Sequence, residues 1–184
     1  MKLAIVVGHN HVAQGAVRPD TGETEYAWNS DLARMIEDEA QAFREIQVKV
    51  FKRQPARSYT DEIGRVYDQV DFWDADASCE LHFNSHTTRT ATGTEVLSSG
   101  SRKSLSFAEA MQERLIEALD LRDRGVKIRR SGRGSESLMS GQAPAILIEP
   151  FFGSSPHGQQ ATDEPHEKRA LARAILLAAK DAFL

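Results

Sequence analysis

Apolar residues along this chain follow two rhythms, and their alternation predicts the fold. "KLAIVV" at residues 2–7 is a continuous apolar run after its lysine, closed by Gly8, and reads as a buried strand feeding a turn. From Tyr26 to Phe43, the positions Trp28, Leu32, Met35, Ile36, Ala40 and Phe43 recur at helical spacing, which predicts an amphipathic helix. Asp31, Arg34, Glu37 and Asp38 form its charged face. "IQVKVF" from Ile46 alternates apolar and polar residues and predicts a half-exposed strand toward a sheet edge. A second helical stripe runs through Ile63, Val66, Tyr67 and Val70, after a cap at Ser58 or Thr60.

"SCELHFN" and "TEVLSS" then read as two strands separated by the polar loop "SHTTRTATG". Residues 104–121 carry Phe107, Met111, Leu115, Ile116 and Leu119 at helical spacing, with Ser104 or Ser106 as the expected cap. "GVKIRR" is a short strand, and "SGRGSESLMSGQ" a glycine and serine loop with at most one helical turn. "AILIEPFF" is a buried strand, and "EKRALARAILLAAKDAF" is the C-terminal helix. Strands alternating with helices predict an α/β architecture: a mixed, largely parallel sheet of about six strands with helices on both faces. No repeat, low-complexity tract or linker divides the chain, so residues 1–184 are expected to form one domain.

Composition narrows the classes of partner. Apolar residues make up 40% of the chain and charged residues 27%, the balance of an ordinary globular protein. With 23 basic and 27 acidic residues the net charge is −4, and no basic block forms a continuous face, so nucleic acid is not an expected partner. Cys79 is the only cysteine, which excludes an internal disulfide. No window is apolar enough for a membrane span. The apolar run after Met1 is shorter than a signal-peptide core, so the expectation is cytoplasmic synthesis without a visible export signal. A monomer is the expected state.

Three titratable residues stand where strands end. "VVGH" puts His9 just past the first strand, "CELHFNSH" puts His82 at the end of a central one, and "AILIEPFF" puts Glu149 at the end of the most apolar one. In open α/β sheets, functional groups collect at the carboxyl ends of strands. Glu149 follows a run in which a carboxylate is costly, so burial demands a partner: backbone NH groups, an arginine such as Arg129, or a catalytic setting.

Imidazole nitrogens and carboxylate oxygens suit zinc, whose catalytic sites use three protein ligands and leave one position open. The carboxylate ligand would come from Glu23 or Glu25 in "TGETEYAWN", although an acid at a helix start is also the ordinary placement for the helix dipole. His11 reads as solvent-exposed or as a neighbour of the ligands, which leaves its close spacing to His9 incidental. His86, His157 and His166 lie in polar loops, and Cys79 reads as a small core residue.

The segments "VVGHN", "ETEYAWNSDLA", "CELHFNSH", "GTEVL", "RGVKIR" and "AILIEPFFGSS" together resemble, in order and spacing, the zinc-dependent N-acetylmuramoyl-L-alanine amidases, in particular phage endolysin catalytic domains. The resemblance spans nearly the whole chain. It implies a twisted mixed sheet flanked by helices, Zn2+ held by His9, Glu25 and His82, and Glu149 as the catalytic carboxylate. Glu25 is preferred over Glu23 because the family's register of a following asparagine and a small helical residue falls on Asn29 and Ala33.

The implied substrate is peptidoglycan, cut at the amide between N-acetylmuramic acid and L-alanine, with the enzyme acting on the bacterial cell wall after release. Asn10 and His11 depart from a glycine and an aspartate common in relatives, and Ser155 stands where relatives tend to carry asparagine. A zinc peptidase cutting within the stem peptide and a non-catalytic wall-binding module are the competing readings. The loops "SHTTRTATG" and "SGRGSESLMSGQ" are expected to frame the groove, with Arg129 and Arg130 as candidates for stem carboxylates.

Overall fold

The computed structural model describes residues 1–184. Six strands form one sheet: β1 Lys2–Val7, β2 Gln47–Lys52, β3 Ala77–Leu81, β4 Thr94–Ser98, β5 Asp123–Ile128 and β6 Ala145–Glu149. Their spatial order is β2-β1-β3-β6-β4-β5. β2, β1, β3 and β6 are mutually parallel, whereas β4 meets β6 antiparallel and carries β5 parallel to itself. The mixed, mostly parallel sheet predicted from the alternating rhythm is therefore present.

The helices are α1 Glu25–Ala40, α2 Tyr59–Phe72, α3 Arg102–Leu119, α4 Ser135–Ser140, α5 Pro156–Gln160 and α6 Pro165–Phe183. α1, α3 and α6 cover one face, where Leu3, Ile5, Cys79, Leu81, Val96, Ile146 and Ile148 meet Leu32, Ile36, Phe107, Met111, Leu171 and Ile175. α2 covers the other face over Ala4 and Val6, and α4 covers Leu147 and Leu97 beside it. Alternate residues of each strand thus serve two cores, which explains why β1 and β6 read as nearly unbroken apolar runs while the edge strand β2 alternates. Cys79 lies in the larger core, with burial pushing its thiol well up.

Local details correct several expectations. α1 ends at Ala40, short of Phe43. α2 is capped by Ser58, whose Oγ accepts from the Asp61 amide. α3 starts earlier than expected, capped by Ser101. Ser104, one of the two expected caps, instead lies inside α3, fully buried, and donates from Oγ to the Ala145 carbonyl. The glycine and serine segment holds the six-residue helix α4, more than the single turn expected. α6 begins on Pro165, and Glu164 and Glu167 form a reciprocal capping box.

Two features of this fold position what lies above the sheet. The chain crosses from β1 to β2 on one side and returns to β3 on the other, so a topological switch point falls between the adjacent strands β1 and β3. Beneath that point, Trp28, Phe83 and Phe151 pack edge to face or tilted, with centroids 4.8 Å apart for Trp28–Phe151 and 5.3 Å for Phe83–Phe151. Each ring belongs to a different segment: Trp28 to the first turn of α1, Phe83 to the exit from β3, and Phe151 to the exit from β6.

Trp28 and Phe151 are at most 1% exposed. Replacing either by alanine removes a large fully buried ring, and the expected loss is about 3–5 kcal/mol in urea unfolding. A loss below about 1 kcal/mol would show that the rings do not hold these segments together.

Candidate active site

The carboxyl ends of β1, β3 and β6 are neighbours, so the residues that follow them converge. His9 and His82 flank the switch point, and Glu149 closes β6 next to them. His82 lies one residue beyond β3 rather than within it. The structure brings His9, Glu25 and His82 together, with one donor atom of each within 4.8 Å of the other two. Glu149 lines the same cleft of about 640 Å³ as the two histidines.

Local conformation aims each group. Gly8 has His82 ring atoms at 2.4–2.5 Å from where a Cβ would stand, so only glycine allows β1 to leave the sheet against that ring. His9 adopts φ 64, a left-handed conformation unusual for a residue with a side chain, and it turns the imidazole back over the sheet. Asn10 stabilises the turn: its Oδ1 accepts from the amides of Val12 and Ala13 at 2.9 and 2.8 Å. Gly15 lets the returning loop pass the cluster, since a Cβ there would lie 2.6 Å from Glu25 Oε2 and 2.7 Å from His9 Nε2. Thr24 caps α1, and Glu25 opens the helix with its carboxylate turned inward.

Glu25 is 2% exposed, and its oxygens are divided between partners. Oε1 accepts from the Phe83 amide at 3.2 Å and lies 2.8 Å from His82 Nδ1, while Oε2 accepts from the Ala16 amide at 3.2 Å. His9 Nε2 stands 3.1 Å from Oε2 but without hydrogen-bond alignment, which leaves a buried nitrogen with no hydrogen-bond partner. Burial alone would raise the Glu25 carboxyl, but the hydrogen bond with His82 and the nearby His9 imidazole outweigh it and hold the group well below the usual carboxylate range. His82 shows the converse: burial would lower it, and Glu25 and Glu80 push it up to about 10. A cation entering between these groups would take the place of a proton. The two nitrogens and carboxylate, the unpartnered His9 Nε2 and the two glycine cradles fit a zinc site of the His, His, Glu kind.

Glu149 has no such support. Its Oε2 is buried without a hydrogen-bond partner, and burial, reinforced by Glu25 and Glu95, pushes the carboxyl up to about 7, with His82 and Arg133 acting in the other direction. Among the partners left open for it, the arginine is absent: Arg129 lines the cleft exposed and without a salt bridge to Glu149. Of the two arginines expected at the groove, Arg130 turns away to donate to the Ser99 carbonyl. Arg129, Ser131, Arg133 and Gly134 border the cleft, so the segment around α4 frames it, whereas residues 85–93 do not line it. Glu23 stays outside the cluster, and His11, His86, His157 and His166 are exposed.

His82 belongs to a buried polar network in which Glu80, Arg53 and Glu62 were not singled out from the sequence. Glu80 is fully buried and its Oε1 is 2.9 Å from His82 Nε2. Arg53 donates to Glu80 and Glu62, Tyr67 donates to Glu80, and Asn10 donates to Glu62. The available signal was the period of two: Glu80 shares a strand face with His82 and could not be a solvated position if that face was covered.

A crevice at the switch point of an α/β sheet, holding a His, Glu, His cluster beside an unpaired buried carboxylate, has the layout of an enzyme active site. Residues 3–181 match the sequence family described as N-acetylmuramoyl-L-alanine amidase, and the chain belongs to that family. Its activity class is hydrolysis of an amide bond of peptidoglycan. No curated protein sequence matches the chain.

Among solved structures, the catalytic domain of CwlV, an N-acetylmuramoyl-L-alanine amidase from Bacillus (Paenibacillus) polymyxa var. colistinus, is similar with a TM-score of 0.82 and 19% identity, over 98% of this chain and 97% of that one. The N-acetylmuramoyl-L-alanine amidase from Clostridium difficile 630 gives 0.83 and 22%, over 97% and 94%. At these identities the likeness speaks for the fold. The catalytic domain of an endolysin targeting Clostridia difficile gives 0.79 and 25%, over 96% and 97%.

Glu149 links the site to stability. Its folded value lies above the ordinary 4.5, so stability from the neutral form is complete below that value and is lost as pH rises through about 7. In chelator-treated protein, Glu149→Gln, always neutral, is expected to raise the thermal midpoint by on the order of 5 °C at pH 8 and to leave it unchanged near pH 4. Equal effects at both pH values would contradict the buried, unpaired carboxyl.

Proposed function

We propose that the chain is a zinc-dependent N-acetylmuramoyl-L-alanine amidase, with residues 1–184 as one catalytic unit that lyses cell wall in the manner of an endolysin. The observation that carries this reading is the convergence of three donor atoms within 4.8 Å at the switch point, in a cleft shared with Glu149. The 25% identical endolysin domain supports the wall-lysing role, and the family match supports the bond. The substrate bond is the amide joining the lactyl group of N-acetylmuramic acid to the L-alanine of the stem.

His9, Glu25 and His82 would hold the zinc, which supplies Lewis-acid stabilisation for the carbonyl oxygen and makes water more acidic at neutral pH. The chain's own residues do the rest. Glu149, with its carboxyl pushed up to about 7, is poised to accept a proton near neutrality, and it takes one from the attacking water as general base. It then returns that proton to the departing nitrogen of L-alanine as general acid. Leu97, Leu147 and Gly134 line the same cleft as this carboxylate.

Digestion of purified peptidoglycan is expected to expose the amino group of L-alanine, and a different new amino terminus would reject the amidase assignment. Glu149→Gln is expected to retain zinc while kcat falls by roughly 10²–10⁴-fold. His9→Ala and His82→Ala are expected to lose both zinc and activity. Wild-type activity in zinc-loaded Glu149→Gln would remove Glu149 from the chemistry.

A further inference from the structure

The two histidines of the candidate metal site are joined by a buried belt of polar side chains, of which Asn10, Arg53 and Glu62 line the cleft itself. It starts at Asn10, the residue after His9, whose Nδ2 donates to Glu62 Oε2 at 3.0 Å. Glu62 Oε1 accepts from Arg53 Nε at 2.7 Å, and Arg53 Nη1 donates to Glu80 Oε1 at 3.1 Å. The same Glu80 oxygen lies 2.9 Å from His82 Nε2, and the Tyr67 hydroxyl donates to Glu80 Oε2 at 3.0 Å. Every belt member is buried: Asn10, Arg53, Glu62 and Glu80 are exposed by 3%, 4%, 8% and 0%. They come from the loop after β1, the end of β2, α2 and β3.

Burying this many charges is costly, and replacing such networks by apolar residues is often neutral or stabilising. The belt therefore calls for a reason beyond stability. With Arg53 as the one guanidinium against the carboxylates of Glu25, Glu62 and Glu80, two negative charges remain when His82 is neutral, which matches a divalent cation. We propose that Glu80 is a positioning residue for metal binding: it holds the Nε2–H of His82 and thereby presents Nδ1, on the Glu25 side, as the ligand atom. This deepens the proposed zinc reading and rests on it.

Two geometric facts point the same way. Nδ1 faces Glu25 Oε1 at 2.8 Å, inside the donor cluster, whereas Nε2 faces a carboxylate already fixed by Arg53 and Tyr67. The ring has little freedom to exchange these roles, because Gly8 packs against its Cε1 and Nε2. A carboxylate that accepts from the distal ring nitrogen fixes the tautomer of a ligating histidine and raises its basicity, and its loss typically weakens metal affinity by about 10–100-fold.

The test measures zinc affinity of the full chain by competition with a fluorescent chelator, for wild type, Glu80→Gln and Glu80→Ala, beside urea unfolding of the zinc-free proteins. Glu80→Gln keeps the side-chain volume, and the expected result is a folded protein whose zinc dissociation constant rises by about 10-fold or more. A folded Glu80→Gln variant that binds zinc within about 2-fold of wild type overturns the positioning role while leaving the zinc site standing.

Nitrogen NMR of zinc-loaded wild type gives a second arm that does not depend on any variant folding. A proton on His82 Nε2 with metal on Nδ1 supports the proposal, and the reverse arrangement overturns it. Wild type that takes up no zinc rejects the metal reading itself and the positioning role with it.

Discussion

The imidazole of His82 is clamped between two buried carboxylates, Glu25 on one nitrogen and Glu80 on the other, and the rest of the site is arranged around that clamp. Glu25 brings α1 to the end of β3, because its carboxylate can reach His82 only when the first turn of α1 lies over the sheet. Glu80 brings β2 and α2 to the same point through Arg53 and Tyr67. A single ring therefore couples the helices of both sheet faces. Buried charges of this density persist only where partners satisfy them, and here hydrogen bonds supply that compensation.

Packing beneath the clamp gives it rigidity. Trp28, Phe83 and Phe151 stand next to the site residues of their own segments, one turn beyond Glu25, one residue beyond His82 and two beyond Glu149. Their contacts tie three chain segments into one platform beneath the polar groups. The loop from His9 to Thr24 is tied down separately. Arg18, 1% exposed, donates to the carbonyls of Thr162 and Gln159 and pairs with Asp20, and its guanidinium lies over the Phe151 ring. The loop that carries His9 is thus fastened to the connection between α5 and α6.

What could be read from the sequence follows from which positions see only local physics. The apolar runs of β1 and β6 and the helical stripes of α1, α2, α3 and α6 were legible because burial on a regular element writes its period into the chain. His9, His82 and Glu149 were legible as strand-end residues, and Glu25 through a family resemblance that set it above Glu23. Glu80, Glu62 and Arg53 were not. Each is a charged residue whose face is covered by another element, and nothing in a local window says that α2 lies over the side of β3 that carries Glu80.

The misplaced cap has the same origin. Ser104 looks like a helix start in isolation, but α3 begins earlier and buries that hydroxyl against the β6 backbone. Arg129, one of the partners left open for Glu149, does not pair with it, because the strand end that buries the carboxylate leaves the arginine on the cleft rim. His9, Glu25 and His82 would together make one zinc site. Zinc X-ray absorption on the purified, metal-loaded chain reads that donor set: the expected spectrum fits two imidazole nitrogens with light oxygen donors at about 2.0–2.2 Å and no sulfur. A shell containing sulfur, or one built from oxygen alone without imidazole scattering, would contradict it.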